Sequence, residues 1–420
     1  MPQREGRAKA IWLIILVIAP LLATGTSHLF RAAHGLGDFE GSYANSRAVL
    51  EVHRLSLENP DTMGLYPPSA RPILVVHALL PLMPAAVVWY IIYAGFHLTA
   101  CYLVARCVCG LEPPHRFAGT LITWGFSLPW IWSDLATCNV TSILVICTVG
   151  SYVLHTRGRT WLAACVLSVG IAIKFLPAAV LGYYLWRRRF RMIGATLLCT
   201  VVIGVVPGLL WFGPRNFAEG WSLWVHGRML AHSPMAAAED HSLCTFQNQS
   251  LIATLTRLFT DVDAGQGQSH FQITKVELSS RAILGLWLVA MAVPLVAWVL
   301  LMVLRGRATG PPLLEGLCYA FFVLMMIWFS PQVRTYYMAL LSLPLGVLGI
   351  CGFKRRLAGD RDRFVDGALA LYLLLSLSFA SAWLRAHGTY QMIVLLLGTV
   401  TIVRVLRFPD GLARSGPDTA

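Results

Sequence analysis

Blocks of apolar residues close to membrane-spanning length recur along this chain, and they limit the folds open to it. A helix rises about 1.5 Å per residue, so about 20 residues cross a hydrocarbon core of about 30 Å. Charged residues make up 13% of the 420 residues and the mean hydropathy is +0.65, whereas soluble domains carry about 25% charged residues. The blocks therefore predict an all-α polytopic membrane protein that forms a single domain over residues 1–420.

The apolar blocks differ in length, and this difference predicts two kinds of segment. Two half-length pieces, 160–173 and 174–186, predict a short hairpin broken near Lys174 and Pro177, because proline interrupts the helical hydrogen bonds. Segment 72–83 predicts a re-entrant or interfacial element. With these pieces, the bundle would contain about 10–12 transmembrane helices. The full-length spans predicted are 10–27, 84–106, 117–133, 139–156, 192–212, 281–304, 313–331, 335–352, 366–384 and 388–406.

The net charge of +13 is concentrated in short loops between the spans, which predicts an orientation. Cytoplasmic loops carry such an excess of Lys and Arg. We therefore expect a multi-pass inner-membrane protein whose two termini, including the tail 408–420, are cytoplasmic. The same placement argues against nucleic acid as a partner. The basic clusters are Arg4/Arg7/Lys9, Arg106/His115/Arg116, Arg157/Arg159, Arg187/Arg188/Arg189/Arg191, Arg305/Arg307, Lys354/Arg355/Arg356 and Arg404/Arg407.

Two long stretches, 28–71 and 213–280, fall on the opposite, extracytoplasmic side in this arrangement. Loops of this length are usually functional or disordered, and the Trp and Phe content here predicts packing on the membrane face. Within 43–55 the apolar spacing predicts an interfacial helix. The apolar residues that recur at helical spacing are Ala44, Ala48, Val52 and Leu55. Cytoplasmic loops are short and no Gly-rich phosphate loop is present, so the chemistry is expected at the outer surface.

Asp38 and Lys174 are the leading candidates for chemistry. Asp38 follows the first span closely, and a carboxylate there is suited to act as general base on a hydroxyl; the alternative is a solvated loop acid. Lys174 sits in a mostly apolar stretch, where a cation is costly and usually functional. It is suited to a lipid-linked phosphate, and the alternative is a lysine that extends to the membrane surface.

Further polar and aromatic residues are candidates for substrate contacts. Arg334 and Arg71 are suited to a phosphate. The candidates for sugar or acceptor contacts are Glu40, Tyr43, Tyr66, Asn139, Asn248, Gln249, Tyr336 and Tyr337. The alternatives are interfacial anchoring for the tyrosine pair, a stiff turn for the Pro-rich run 66–72, and capping for the amides. The scattered cysteines lack a zinc spacing, so we expect no metal and no cofactor.

Several stretches together resemble glycosyltransferase family 87 of the GT-C superfamily, in order and spacing. The resemblance covers roughly residues 10–350. It implies a GT-C-like bundle and a polyprenyl-phosphate-mannose-dependent alpha-mannosyltransferase of the bacterial envelope, although many members have no assigned substrate. The matching stretches are "GDFEGSYANSRAVL", "LYPPSARPILVVHALLPLMP", the hairpin "NVTSILVICTVGSYVLHTRGRTWLAACVLSVGIAIKFLPAAVLGYYLWRRRFR", "NQSL" and "FSPQVRTYY".

The resemblance assigns roles to individual residues. Asp38 matches the catalytic aspartate of the first loop and Lys174 the intramembrane lysine, while Asn248, Gln249 and Ser250 match the Asn-Gln-Ser motif. The chain departs from the family at two places. Thr335, Tyr336 and Tyr337 stand where members often have an Asp-His-His-like run, and Cys138, Asn139, Val140 and Thr141 stand where they often have Gly-Gln-x-Asn.

The sequence therefore predicts a membrane hexosyltransferase that works on membrane lipid substrates. The sugar, most simply mannose, would come from a polyprenyl-phosphate-sugar donor and go to a glycolipid or glycan acceptor by inverting displacement. Two alternatives remain open at this stage. A transporter or lipid-carrier flippase would suit the broken hairpin at Lys174, and a catalytically inactive relative would suit the missing histidines.

Overall fold

The protein is helical throughout the part that the computed structural model describes, namely residues 11–36, 38–52, 66–231, 233–239, 241–265, 270–274, 276–305 and 310–408. Within these ranges there is no strand, only an isolated antiparallel bridge between Asp263 and Gln272. Part of the predicted loop 28–71, most of the tail 408–420 and Leu55 of the predicted interfacial helix lie outside the described residues.

The helices fall into two runs along the chain. Those of the first half are α1 (Ile11–His34), α2 (Asp38–Val52), α3 (Leu82–Val108), α4 (Pro113–Thr137), α5 (Thr141–Thr156), α6 (Thr160–Ile173), α7 (Leu176–Trp186) and α8 (Phe190–Phe212). Those of the second half are α9 (Pro214–Trp224), α10 (Pro234–Glu239), α11 (Leu251–Phe259), α12 (Ser280–Arg305), α13 (Pro312–Phe329), α14 (Thr335–Leu357), α15 (Arg363–Ala380), α16 (Ala382–Ala386) and α17 (Thr389–Leu406). Single helical turns add Pro68–Ala70, Arg71–Leu74, Val75–Ala78, Val225–Leu230 and His241–Cys244.

Eight helices of the described ranges are long and apolar enough to cross a membrane, which confirms an all-α polytopic membrane protein. They are α1, α3, α8, α12, α13, α14, α15 and α17. The other two predicted full-length spans are helical as well: 117–133 falls within α4, which contains Pro129, and 139–156 coincides with the 16-residue α5.

Burial separates a central pair of helices from a lipid-facing periphery. In the most apolar stretch of α14, 94% of the residues are buried, and the share is 78% in α13 but only 11% in α12. Close approach makes this centre possible. A Cβ at Gly346 of α14 would lie 2.6 Å from Thr123 Cγ2 of α4, so only glycine lets these two helices pack at this distance.

The predicted break between α6 and α7 is confirmed. Helix α6 ends at Ile173, Lys174 has extended backbone angles (φ −151°, ψ 137°), and a tight helical turn containing Pro177 starts the next segment. Extended backbone at Lys174 turns its side chain out of the helix row that precedes it. The two half-helices therefore meet at a lysine inside the bundle, where it is 7% exposed.

Helix α2 exists where an interfacial helix was predicted, and the face that it packs against the protein is partly polar. Ala44 is exposed, and the buried face consists of Phe39, Ser42, Ser46 and Val49. Two serine hydroxyls account for this: Ser46 donates to the carbonyl of Leu74 at 2.9 Å, and Ser42 bonds His77 Nδ1 at 3.1 Å. Helix α2 thus docks on the segment 66–81 partly through hydrogen bonds, which an apolar stripe does not reveal.

Basic residues of several clusters gather at one end of the bundle, while Arg4, Arg7, Lys9 and Arg307 lie outside the described residues. One cavity of about 530 Å³ there is lined by residues that include Gly110, Pro312, Lys354, Arg355, Arg404 and Arg407. A neighbouring cavity of about 440 Å³ shares Pro312 and adds Arg187 and Arg189. Helix α6 starts just after Arg157 and Arg159, and α14 ends at Lys354–Arg356. The opposite ends of α6 and α14 therefore lie at the far side of the bundle from these charges, and those ends carry Lys174 and Tyr337.

Candidate active site

Asp38 is the first residue of α2, and it lies against the turn between α4 and α5. Asn139 Nδ2 donates a hydrogen bond of 3.1 Å to Asp38 Oδ2. The other end of the amide is fixed, because Asn139 Oδ1 accepts from Thr141 N at 3.2 Å and from Thr141 Oγ1 at 3.1 Å. The amide is therefore oriented with its NH₂ group toward Asp38.

Lys174 is surrounded by three tyrosine rings. Its Nζ lies 4.0 Å from the ring centroid of Tyr337, 5.1 Å from that of Tyr66 and 5.8 Å from that of Tyr336, and it donates a hydrogen bond to the hydroxyl of Tyr337. Tyr336 and Tyr337 pack edge to face at 4.8 Å. Aromatic faces attract a cation most strongly when it is desolvated. The three rings are therefore suited to hold a buried ammonium group, which also lines a cavity where an anion could bind.

Tyr66 connects the two groups. Its side chain interacts with that of Asn139 and feels the charge of Asp38, and burial raises the pKa of Tyr66 well above its usual range. Arg71, one helical turn further along, is also buried, and burial lowers its pKa to about 10 although Tyr66 opposes the change. The carboxylate, the amide, the tyrosine and the lysine come from four separate segments and form one cluster.

A cavity of about 280 Å³ opens beside this cluster. Lys174 and Tyr337 contribute polar groups to its wall, and Phe175, Leu176 and Trp224 contribute apolar ones. The remaining lining residues are Pro67, Met229, Ser330, Pro331 and Gln332. A space with a cation at one side and aromatic and aliphatic groups at the other suits an amphiphile with an anionic head and an apolar tail.

Arg334, Asn248 and Gln249 lie in a joint between two loops. Arg334 Nη1 donates to Gln247 Oε1 at 2.6 Å, Asn248 Oδ1 accepts from Val333 N at 3.2 Å, and Gln249 N donates to Val333 O at 2.6 Å. The two amide residues are almost completely buried. In this geometry Asn248 and Gln249 hold the loop before α14 in place, and Arg334 is the half-buried member of the joint.

Glu40 and Tyr43 contact other parts of the chain. A Cβ placed on Gly35 would lie 3.6 Å from Glu40 Oε2, which puts this acid beside the end of α1. The hydroxyl of Tyr43 donates to the carbonyl of Leu80 at 3.1 Å and so braces α2 against the segment 66–81. The structure thus brings Asp38, Tyr66, Asn139, Lys174, Tyr336 and Tyr337 together, with Arg71 adjacent, and puts Glu40 and Tyr43 at the border.

Two buried polar groups near the site escaped the sequence analysis. Asp134 on α4 bonds His97 on α3, and both side chains are fully buried. Arg257 on α11 is also fully buried and donates to four backbone carbonyls. A signal existed for each, because Asp134 is an acid in the apolar run "LPWIWSDLAT" and Arg257 a cation in "SLIATLTRLF". His97 is 37 residues from Asp134 and Ala386 is 129 residues from Arg257, so the sequence does not indicate these partners.

No group of three or more His, Cys, Asp or Glu side chains in the described residues has an arrangement that could hold a metal ion. The family model of glycosyltransferase family 87 matches residues 65–331, well over half of the chain. That range includes Tyr66, Asn139 and Lys174, whereas Asp38 and the pair Tyr336 and Tyr337 lie beyond it. A comparison with curated proteins gives no match. The match covers α3 to α13 and includes three of the six clustered residues, and the chain belongs to glycosyltransferase family 87, a family of membrane glycosyltransferases.

Proposed function

We propose that this membrane glycosyltransferase moves a hexose, with mannose as the first candidate, from a polyprenyl-phosphate-sugar to an envelope glycolipid or glycan. The observation that carries the proposal is the cluster itself. Asp38 has an oriented carboxylate, Lys174 is surrounded by tyrosine rings, and Tyr66 lies between the two. A transfer by direct displacement needs a base at the attacking oxygen and positive charge at the leaving oxygen.

The cavity beside Lys174 supports the proposed donor class. A sugar linked to a lipid phosphate has a monoanionic bridge between a polar head and an apolar tail. Lys174 is suited to the phosphate, and Phe175, Leu176 and Trp224 are suited to the first part of the tail. Arg334 and Arg71 are secondary candidates for the phosphate, and Glu40, Tyr43, Asn248 and Gln249 remain candidates for acceptor or sugar contacts.

In the proposed step, the acceptor oxygen attacks the anomeric carbon while Asp38 takes the proton of that hydroxyl. Asn139 occupies Oδ2 of Asp38, so Oδ1 is the oxygen that we assign to the acceptor proton. A bond forms between the acceptor oxygen and the anomeric carbon, the bond from that carbon to the phosphate oxygen breaks, and polyprenyl phosphate leaves beside Lys174. A single displacement inverts the anomeric centre.

The extracytoplasmic side is favoured by the distribution of charge. Basic residues of several clusters lie at the end of the bundle opposite Lys174 and Tyr337, and the end of a membrane protein that is rich in Lys and Arg is usually cytoplasmic. A site facing outward has no supply of nucleotide sugars, which agrees with a lipid-carried donor. We infer an inner-membrane enzyme with both termini in the cytoplasm.

The test incubates purified protein in lipid nanodiscs with radiolabelled polyprenyl-phosphate-mannose and an envelope lipid extract. We expect a labelled lipid product from the wild-type protein and none from Asp38→Asn. The matched control is Glu51→Gln on the same helix, an exposed acid whose partner is Arg47, and it should transfer at the wild-type rate. Normal transfer by Asp38→Asn would refute the role of this carboxylate.

The same assay separates the proposal from its alternatives. Membership of a glycosyltransferase family favours transfer over transport. If the labelled lipid moved across the membrane of vesicles that contain the protein and no new product formed, transport would be favoured instead. An inactive relative would bind the donor and yield no product with any acceptor fraction. Replacing the mannose donor by the corresponding glucose or galactose lipid tests which hexose is used.

A further inference from the structure

His97, Asp134 and Ser142 form a fully buried polar cluster that joins three helices. Asp134 Oδ2 lies 2.8 Å from His97 Nε2 on α3 and accepts a hydrogen bond of 2.5 Å from Ser142 Oγ on α5. Ser142 Oγ also lies 3.1 Å from His97 Nε2. All three side chains have no exposed surface.

Such a cluster is an expensive way to stabilise a membrane bundle. Buried ionisable pairs are often no more stabilising than apolar side chains of the same volume. Within the described part of the chain, His97 Nδ1 and Asp134 Oδ1 have no hydrogen-bond partner, which adds to the cost. An ionisable residue inside a membrane protein therefore calls for a role beyond packing.

The position of the cluster indicates that role. Asp134 holds both sides of the turn between α4 and α5: its carboxylate bonds Ser142 after the turn, and its main-chain carbonyl accepts from Asn139 N at 3.2 Å within it. The turn needs support, because Cys138 has a left-handed backbone (φ 48°) that is unfavourable for a residue with a side chain. His97 holds the carboxylate from a third helix.

We propose that the His97–Asp134–Ser142 cluster is a positioning device that fixes the turn at residues 138–140 so that the amide of Asn139 meets Asp38. None of the three touches substrate; they act through Asn139. The inference rests on the proposed function for its consequence in catalysis, whereas its structural part, the order of the turn, is independent of any transfer.

The structural part is tested by hydrogen–deuterium exchange of peptides covering 136–144, measured on the protein in nanodiscs. Ser142→Ala and Asp134→Leu should raise exchange of the turn amides at least tenfold, and Asp134→Asn, which keeps an oxygen for Ser142, should raise it less. The matched control is Ser168→Ala, another fully buried hydroxyl, which bonds Thr196 O at 2.9 Å and joins α6 to α8. Exchange at wild-type rates in Ser142→Ala would overturn the inference.

The catalytic part is tested by a double-mutant comparison. Ser142→Ala should lower kcat about tenfold with little change in KM, and Ser142→Ala combined with Asn139→Leu should be no slower than Asn139→Leu alone, because both act on the same hydrogen bond. Losses that multiply would overturn the route through Asn139. If the wild-type protein transfers no sugar, the proposed function fails, and the exchange measurement still decides the structural inference.

Discussion

Lys174 donates a hydrogen bond to the hydroxyl of Tyr337, a residue 163 positions further along the chain. Tyr337 lies in the run 335–337, where the resemblance to the family implies an Asp-His-His-like run. A tyrosine hydroxyl, like the unprotonated nitrogen of an imidazole, can accept a hydrogen bond from a lysine ammonium group. The tyrosine of this chain therefore gives the lysine a polar partner in the cage.

Tyr337→Phe removes the hydroxyl and keeps the ring. We expect kcat/KM for sugar transfer to fall about tenfold to a hundredfold, since hydrogen bonds to charged groups contribute about 1.5–3 kcal/mol. Tyr337→Ala also removes the ring beneath the cation, and it should lower kcat/KM further. Initial rates of transfer check this. Tyr102→Phe is the control, because the hydroxyl of Tyr102 accepts from Arg106 on an exposed surface; equal losses in both variants would contradict the assignment.

Lys174→Met should weaken donor binding and should affect folding much less. The cavity would keep its apolar wall but lose the charge suited to a phosphate, so we expect Kd for the donor to rise at least tenfold. Equilibrium binding of a fluorescent polyprenyl-phosphate-sugar measures this Kd. Lys354→Met serves as the control, because Lys354 Nζ bonds the carbonyl of Cys109 at the other end of the bundle. Unchanged donor affinity in Lys174→Met would argue against a phosphate site here.

Arg257→Met should destabilise the protein strongly. The guanidinium donates to the carbonyls of Ala386, Cys244, Thr245 and Asn248 at 2.7–3.1 Å, and methionine would remove all four of these hydrogen bonds. We expect a loss of about 3 kcal/mol or more in the free energy of unfolding. Thermal unfolding in detergent checks it. Arg257→Lys should rescue little, since an ammonium lacks the planar fork.

The control for that change is Arg215→Met, a highly exposed guanidinium paired with Glu219. Surface pairs of this kind contribute about 0–1 kcal/mol. A Tm for Arg257→Met close to that of the control would mean that the loop before α11 is held by other contacts.

Acid should loosen α2 through His77. Burial lowers the pKa of His77 from 6.5 to about 4, so the unfolded chain binds this proton at a higher pH than the folded one. The contribution of neutral His77 to the free energy of unfolding is fully present above pH 6.5. It is lost as the pH falls toward 4, and the total loss is about 3 kcal/mol. Unfolding followed between pH 7 and pH 4 measures it. His77→Gln should flatten this profile, whereas the exposed His226→Gln should not.

Much of the site was predictable because its residues break local rules. Lys174 and Pro177 in an apolar segment predicted the broken hairpin, and the structure has it. Asp38 and Tyr66 stood in polar or Pro-rich runs beside spans. Their mutual positions were not predictable, because contacts between segments about 100 residues apart, such as Asn139 with Asp38, depend on how the helices pack.

The features that the sequence does not reveal have physical causes as well. The apolar spacing within 43–55 gives no sign that α2 buries Ser42 and Ser46, because hydroxyls that bond a neighbouring segment are stable when buried. Asn248 and Gln249 remain predicted sugar or acceptor contacts, and the amide of Asn248 also bonds backbone groups around it. Asp134 was overlooked, since its partner His97 is 37 residues away on another helix.

The candidate active site combines residues from α2, near the start of the chain, with Tyr337 at the start of α14. This has a consequence for biosynthesis. A nascent polypeptide that has inserted its first half into the bilayer already contains Asp38, Asn139 and Lys174 but lacks the hydroxyl that the lysine meets. Translation products that end before Tyr337 therefore have an incomplete site.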